Sequence, residues 1–207
     1  MAERAHPELP GFKDRKFGLI KSRYKRKLYE RYNFCNKYCK DKKVLDIPCG
    51  VGWGTSLLKT TTFVIGIDIS REAIDYAKNH YENKNSKFYI GNMQSIPLKN
   101  DSVDVVICLE GFEHVSKDTG IAFLEESKRV LRINGLLIMT CPVLDEYGKS
   151  TGNPYHLCEY PEYELIEILN RNFRILRLER IKGPDGPEYR TVLSNIKGNR
   201  YKKENIE

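Results

Sequence analysis

The chain has no long apolar run and only a modest excess of charge of one sign, +7 over 207 residues. No stretch approaches the roughly 18 consecutive apolar residues of a membrane-spanning helix, so no membrane partner is expected. The amino terminus, Met1-Ala-Glu-Arg-Ala-His-Pro7, lacks the apolar centre of a secretory leader. Closely paired cysteines are missing as well. The six thiols, at positions 35, 39, 49, 108, 141 and 158, include no Cys-x-x-Cys, which suits reduced, buried side chains rather than a disulfide or zinc framework. These absences point to a soluble, cytoplasmic protein. No internal repeat or low-complexity linker interrupts the chain, and 207 residues with 40% hydrophobic content can bury one good α/β core but hardly two. A single domain is expected.

What the chain does have is the segment Val44-Leu-Asp-Ile-Pro-Cys-Gly-Val-Gly-Trp-Gly54, an apolar run ending in an acid and then in three glycines at alternate positions. It reads as a strand feeding a tight turn, where glycine permits positive φ and lets a ligand approach the backbone. A helix is expected to begin near Thr55, its amides pointing back over the turn. A second apolar run, Phe63-Val-Ile-Gly-Ile-Asp68, ends in an acid about 20 residues on, where nucleoside sites place a carboxylate for the ribose hydroxyls. Asp68 is the expected ribose ligand. The spacing departs from the dinucleotide fingerprint, because Thr55 stands where its third glycine would fall, and no basic side chain lies in the loop to meet a phosphate.

The pattern instead resembles the first motif of the class I S-adenosylmethionine (SAM) dependent methyltransferases. Asp46, Gly50 and Gly52 match the acid and the last two glycines of that motif, and Pro48 stands where the first glycine is usual. Lys87-Phe-Tyr-Ile-Gly-Asn-Met93 looks like the third strand and its adenine-side turn, with Asn92 where the family often has Asp. Ser102-Val-Asp-Val-Val-Ile-Cys-Leu-Glu110 resembles the fourth strand, and Glu113-His114-Val115 the Glu-His-Val signature of the small-molecule, type 11-like branch. Phe123 to Gly135, followed by Leu136-Leu-Ile-Met-Thr-Cys-Pro142, looks like a helix, a glycine turn and the fifth strand. Asn153-Pro-Tyr-His156 with Glu159-Tyr160 resembles a substrate-side loop, so the likeness covers roughly residues 40 to 180. It implies a Rossmann-like fold with a mostly parallel seven-stranded sheet and SAM as cofactor. The implied cofactor residues are Asp46, Pro48, Cys49, Gly50, Gly52 and Trp53, then Asp68, Ile69, Asn92, Met93, Leu109 and Glu110.

From Lys43 onward strand and helix patterns alternate, which by itself implies an α/β sheet covered by helices on both faces. Ser70 is a plausible N-cap for a helix over residues 71–78, and residues 160–172 carry Leu165, Ile166, Ile168 and Leu169 on one apolar face. Residues 173–181 alternate as a half-buried strand, with Phe173, Ile175, Leu178 and Ile181 inward. Residues 183–187 read as a turn, and a last strand over residues 189–193 completes an antiparallel C-terminal edge. Residues 1–42 are expected to form a basic helical segment covering the SAM site, and 43–207 the SAM-binding domain. Tyr24, Tyr29, Tyr32, Phe34 and Tyr38 interleave with the basic residues there. That could be a nucleic-acid surface, but an amphipathic helix with tyrosines inward and lysines solvated is favoured, since +7 is modest for a nucleic-acid binder.

Chemistry is expected beyond the fourth strand, at the carboxyl edge of the sheet. An imidazole titrates near neutrality, so His114, with Glu113 beside it and His156 in the substrate-side loop, is the expected catalytic group and the base for a hydroxyl acceptor. The resulting expectation is methyl transfer to a small hydroxylated acceptor, most plausibly a sugar or sugar-containing metabolite, with no metal. Two alternatives stay open. One is an RNA 2′-O-methyltransferase in which Glu110, Glu113, His114 and His156 hold a divalent metal, a pattern similar to that of small-RNA 3′-terminal 2′-O-methyltransferases; the other, weakly disfavoured by the intact motifs, is a non-catalytic SAM-binding partner.

Overall fold

The computed structural model describes residues 18–144, 148–182 and 186–195, with side chains from residue 26 onward. Most of the turn expected at residues 183–187, and the basic residues before position 18, lie outside them. A long helix α1 (Gly18–Cys39) is followed by β1 (Lys43–Asp46), β2 (Phe63–Asp68), α2 (Arg71–Tyr81), β3 (Ser86–Ile90) and β4 (Val103–Leu109). The chain continues through α3 (Lys117–Val130), β5 (Leu131–Pro142), α4 (Glu162–Asn172), β6 (Arg174–Lys182) and β7 (Pro187–Ser194). All seven strands join one sheet in the order β3-β2-β1-β4-β5-β7-β6. It is parallel from β3 through β5. β7 runs antiparallel to both its neighbours, so the expected C-terminal edge is a hairpin with β7 inserted between β5 and β6.

Alternation within the strands sorts the core onto two faces. Val44, Val64, Val105 and Ile107 pack with Tyr32, Phe34, Cys35 and Cys39 of α1. Leu45, Ile65, Ile67 and Val106 instead join Phe123 and Leu124 of α3 and Leu165 and Leu169 of α4. Helices therefore cover both faces. Ser70 caps α2 by accepting from Ala73 N, and Ser116 caps α3 by accepting from Thr119 N.

Four local expectations need correction. No α-helix follows the glycine turn; residues Thr55–Leu57 make a single 3₁₀ turn. The β-branched run Thr60-Thr61-Thr62 stands directly before β2, leaving too few residues for a stable helix. β5 begins at Leu131 rather than after Gly135, because Asn134 adopts a left-handed φ of +63° and the chain keeps its pairing across a register shift. α4 begins at Glu162, after Pro161, while Tyr160 is buried in the core. In β6 a register shift between Ile175 and Arg177 breaks the period, exposing Leu176 and leaving Leu178 half-buried.

β2, β1 and β4 are adjacent, so their carboxyl ends bring three loops together at one edge.

Candidate active site

A cavity of about 620 Å³ lies over those three strand ends. Pro48, Cys49, Gly50 and Trp53 line it from the first loop, and Asp68 and Ile69 from the second. Asn92 and Met93, then Leu109, Glu110 and His114, complete the expected part of its wall. Of the residues expected to meet the cofactor, Asp46 and Gly52 alone do not line it.

Both exceptions have a structural cause. Gly52 has φ +79°, and a Cβ there would stand 2.8 Å from Ala77 Cβ and 2.9 Å from the Phe88 ring. It lets the loop settle against α2 and β3. Asp46 is fully buried beneath the loop, where its Oδ2 accepts from Tyr32 Oη at 2.9 Å and from Thr55 Oγ1 at 2.5 Å. Burial pushes this carboxyl up to about 7, against the pull of those two hydrogen bonds. The acid of the first motif is thus a buried strut for the loop. Gly50 is different: φ is +53°, no heavy atom lies within 4 Å of where its Cβ would be, and it borders the cavity. Its N–H donates to Asp68 Oδ2 at 2.9 Å, and Ser70 N donates to Asp68 Oδ1 at 2.8 Å. Two backbone amides therefore fix the carboxylate at the cavity wall. In the neighbouring loop after β3, Asn92 is turned into its own loop, its Oδ1 accepting from Gln94 N at 2.7 Å.

α1 closes the cavity with Leu28, Arg31 and Tyr32. Arg31, only 2% exposed, sits between two acids, with Nη2 2.8 Å from Glu110 Oε2 and 2.5 Å from Glu188 Oε2. Glu110 has a left-handed φ of +51° and accepts from Thr140 Oγ1 at 2.7 Å. Burial raises its carboxyl, with the Arg31 guanidinium opposing. Neither Arg31 nor Glu188 carries a sequence signal, since one stands in a run of basic residues and the other in an edge hairpin. Tyr29, expected inward, is 54% exposed.

The far side is built from the 3₁₀ turn Phe112–His114 and the loop before α4. Leu157 N and Cys158 N both donate to Glu113 O, at 2.8 and 3.1 Å, docking the loop on the turn. His114 Nδ1 lies 2.9 Å from Tyr155 O. A carbonyl only accepts, so Nδ1 carries the hydrogen and Nε2 the lone pair. His156 Nδ1 lies 2.5 Å from Glu159 Oε1 and 3.1 Å from Thr151 Oγ1. Burial opposes ionisation of Glu159, but hydrogen bonds from Thr151 and His156 outweigh it and hold the carboxyl below its ordinary range. Glu113 is 0% exposed, and among the described residues neither of its carboxylate oxygens accepts a hydrogen bond from another residue. Burial, then the charge of Glu110, raises it well above the usual carboxylate range. One ligand atom from each of Glu113, His114 and His156 lies within 4.8 Å of the others; Glu110 falls outside this group, held by Arg31 and Thr140. His114 borders the cavity, whereas Glu113 and His156 stand behind it.

Residues 45–139 match a family model described as a methyltransferase domain, type 11. Over this region the chain is similar to SAM-dependent methyltransferases. The chain is 31% identical over 135 residues to a probable SAM-dependent methyltransferase of Mycolicibacterium smegmatis, covering 63% of the chain and 51% of that protein. It is 33% identical over 98 residues to a malonyl-[acyl-carrier protein] O-methyltransferase of Hahella chejuensis, covering 46% of the chain and 34% of that protein. A solved protein of Pyrococcus horikoshii shares the fold with TM-score 0.71 at 22% identity, covering 90% of the chain and 95% of that structure. The chain spans about half the length of the curated relatives it matches. SAM, the cofactor of the family, fits the residues present. A carboxylate stands at the wall in Asp68, the space beside Gly50 is open, and Ile69, Met93 and Leu109 supply apolar surface.

Proposed function

We propose that the protein transfers a methyl group from SAM to a small hydroxylated acceptor, most simply a sugar or sugar-containing metabolite. SAM supplies a methyl group on a sulfonium, which passes to a nucleophile by in-line displacement. Asp68 holds the ribose hydroxyls, Ile69, Met93 and Leu109 give the apolar contact that a base needs, and α1 covers the site. Acceptor and cofactor share one cavity, which supplies the alignment that such a displacement requires. The observation that carries the reading is His114, whose Nδ1–H is tied to Tyr155 O while the ring borders the same cavity as Asp68. Its Nε2 lone pair accepts the hydrogen bond of the acceptor hydroxyl and then its proton. Glu113 and His156 support the imidazole from behind. The six free thiols suit a reducing compartment such as the cytoplasm.

Transfer of labelled methyl from SAM into a fractionated cell extract tests this. Label is expected in small molecules or saccharides, and His114→Ala should lower the rate by about 10²- to 10⁴-fold with SAM affinity retained. Label in nuclease-sensitive material would replace the acceptor class with RNA. Bound SAM with no labelled product from any fraction would leave a non-catalytic SAM-binding protein.

A further inference from the structure

We propose that the acceptor is a glycoside with an apolar aglycone, which lies across the cavity mouth on Pro154, Tyr155 and Leu157 while a hydroxyl of the sugar meets His114. This deepens the methyl-transfer reading and rests on it for the hydroxyl; the apolar rim stands without it.

Exposure is the first support. Tyr155 is 48% and Leu157 69% exposed, with Pro154 exposed beside them, and all three border the cavity that Asp68 and His114 line. Tyr163 and Leu176 are as exposed but stand apart from that cavity. A single apolar side chain in solvent is ordinary, whereas a run of them at the edge of a ligand cavity marks surface that a ligand covers.

The loop that presents this run is fixed, so the exposure is not slack. Leu157 N and Cys158 N bond Glu113 O, His156 N donates to Asn153 O at 3.1 Å, and Tyr155 N donates to Asn153 Oδ1 at 3.0 Å. Thr151 N closes the base of the loop by donating to Glu159 Oε2 at 2.8 Å. Between the two exposed side chains, that of His156 turns inward and is only 6% exposed. An apolar surface held in place before the ligand arrives costs little ordering entropy when it is covered.

The composition of the acceptor-side wall points the same way. The turn and the loop give the cavity Gly111, His114, Val115, Pro154, Tyr155 and Leu157, with no carboxylate and no side-chain amide. Glu110, at the end of β4, is already bonded to Arg31 and Thr140. A free sugar carries hydroxyls all round and needs several partners once it leaves water. This stretch of wall offers the His114 imidazole and the Tyr155 hydroxyl, enough for one or two hydroxyls beside an apolar remainder. Tyr155 also links the two ends of the site, because its carbonyl accepts from His114 Nδ1 at 2.9 Å. An aglycone resting on the Tyr155 ring therefore sets which hydroxyl reaches the Nε2 lone pair.

The test is calorimetric titration of methyl, butyl and hexyl β-D-glucoside, each below its micelle concentration, into the full chain saturated with S-adenosylhomocysteine. Affinity is expected to rise about fourfold for each methylene that becomes buried, so that the hexyl compound binds at least about tenfold more tightly than the methyl compound. Two variants locate the gain: Leu157→Ser, and Tyr155→Ala, which keeps the carbonyl that holds His114. In each the gain should fall below about threefold, with S-adenosylhomocysteine affinity retained. Both side chains are exposed, and melting curves check that the variants fold. A series without chain-length dependence, no binding by any of the three, or a gain equal in wild type and variants would overturn the rim. In the labelled-methyl experiment the product is expected to partition into butanol. Transfer into a sugar that stays in water would remove the aglycone and keep the methyltransferase; an intact chain-length series without transfer to any acceptor would do the reverse.

Discussion

A methyl group added at Gly54 would fall 2.1 Å from the Tyr32 ring, so the third glycine of the loop is there to admit α1. Gly54→Ala is therefore expected to lower stability by about 1–3 kcal/mol through overpacking, and to cost much less in a Tyr32→Ala background, where the clash is gone. Denaturant unfolding of the two singles and the double measures that coupling. Asp46, beneath the same loop, gives a pH dependence. Its carboxyl is pushed up to about 7 in the folded chain, against an unfolded value of ~3.9. Folding then takes up a proton between those values, so the group's contribution is fully present below about pH 4 and is lost as pH rises through about 7. Asp46→Asn should gain on the wild type by on the order of a few kcal/mol between pH 4 and pH 8. Parallel unfolding curves at the two pH values would contradict that. These residue-level roles were legible only in part. The acid and glycines of the first motif stand out in the sequence, and so does Asp68 at the end of the second apolar run, but that Asp46 supports the loop from below depends on Tyr32 and Thr55, which carry no motif.

At the scale of elements, α1 is held by one ion-pair cluster as well as by its apolar face. Arg31→Met would leave Glu110 and Glu188 buried without their shared cation. The expected cost is roughly 3–5 kcal/mol, much of it recovered by adding Glu188→Met. Melting temperatures of the single and double variants check it; equal losses would place the stabilisation of α1 in its packing instead. The strands β1, β2 and β4 are readable from sequence because each is a short apolar run flanked by polar or turn residues. The two serine caps are readable for the same local reason. The 3₁₀ turn after Gly54 is not, because the glycine loop and the threonine run compete with a helical reading over only a few residues. The meeting of His156 with Glu113 and His114 is expected from the family resemblance, and residue spacing by itself does not give it. It depends on two backbone amides bonding one carbonyl, and backbone bonds leave no side-chain signature.

Across the whole molecule, the sheet order brings three strand ends, one long helix and one docked loop around a single cavity. Among the described residues, no helix is long and apolar enough to cross a membrane. Because the cavity walls come from distant parts of the chain, SAM should stabilise the molecule as a unit. A ligand at 100 times its dissociation constant that binds only the folded chain adds about 2.7 kcal/mol. At ~2–4 °C per kcal/mol for a domain of this size, that is a rise of roughly 5 to 11 °C in melting temperature. The decisive measurement is this rise as a function of SAM concentration, in the wild type and in Asp68→Ala, each against its own ligand-free melting point. The expected result is a clear rise in the wild type, with the variant losing about 1–3 kcal/mol of binding and so needing about 5- to 150-fold more SAM for the same shift. No rise in the wild type, or the same dose dependence in both, would contradict the placement of SAM in this cavity.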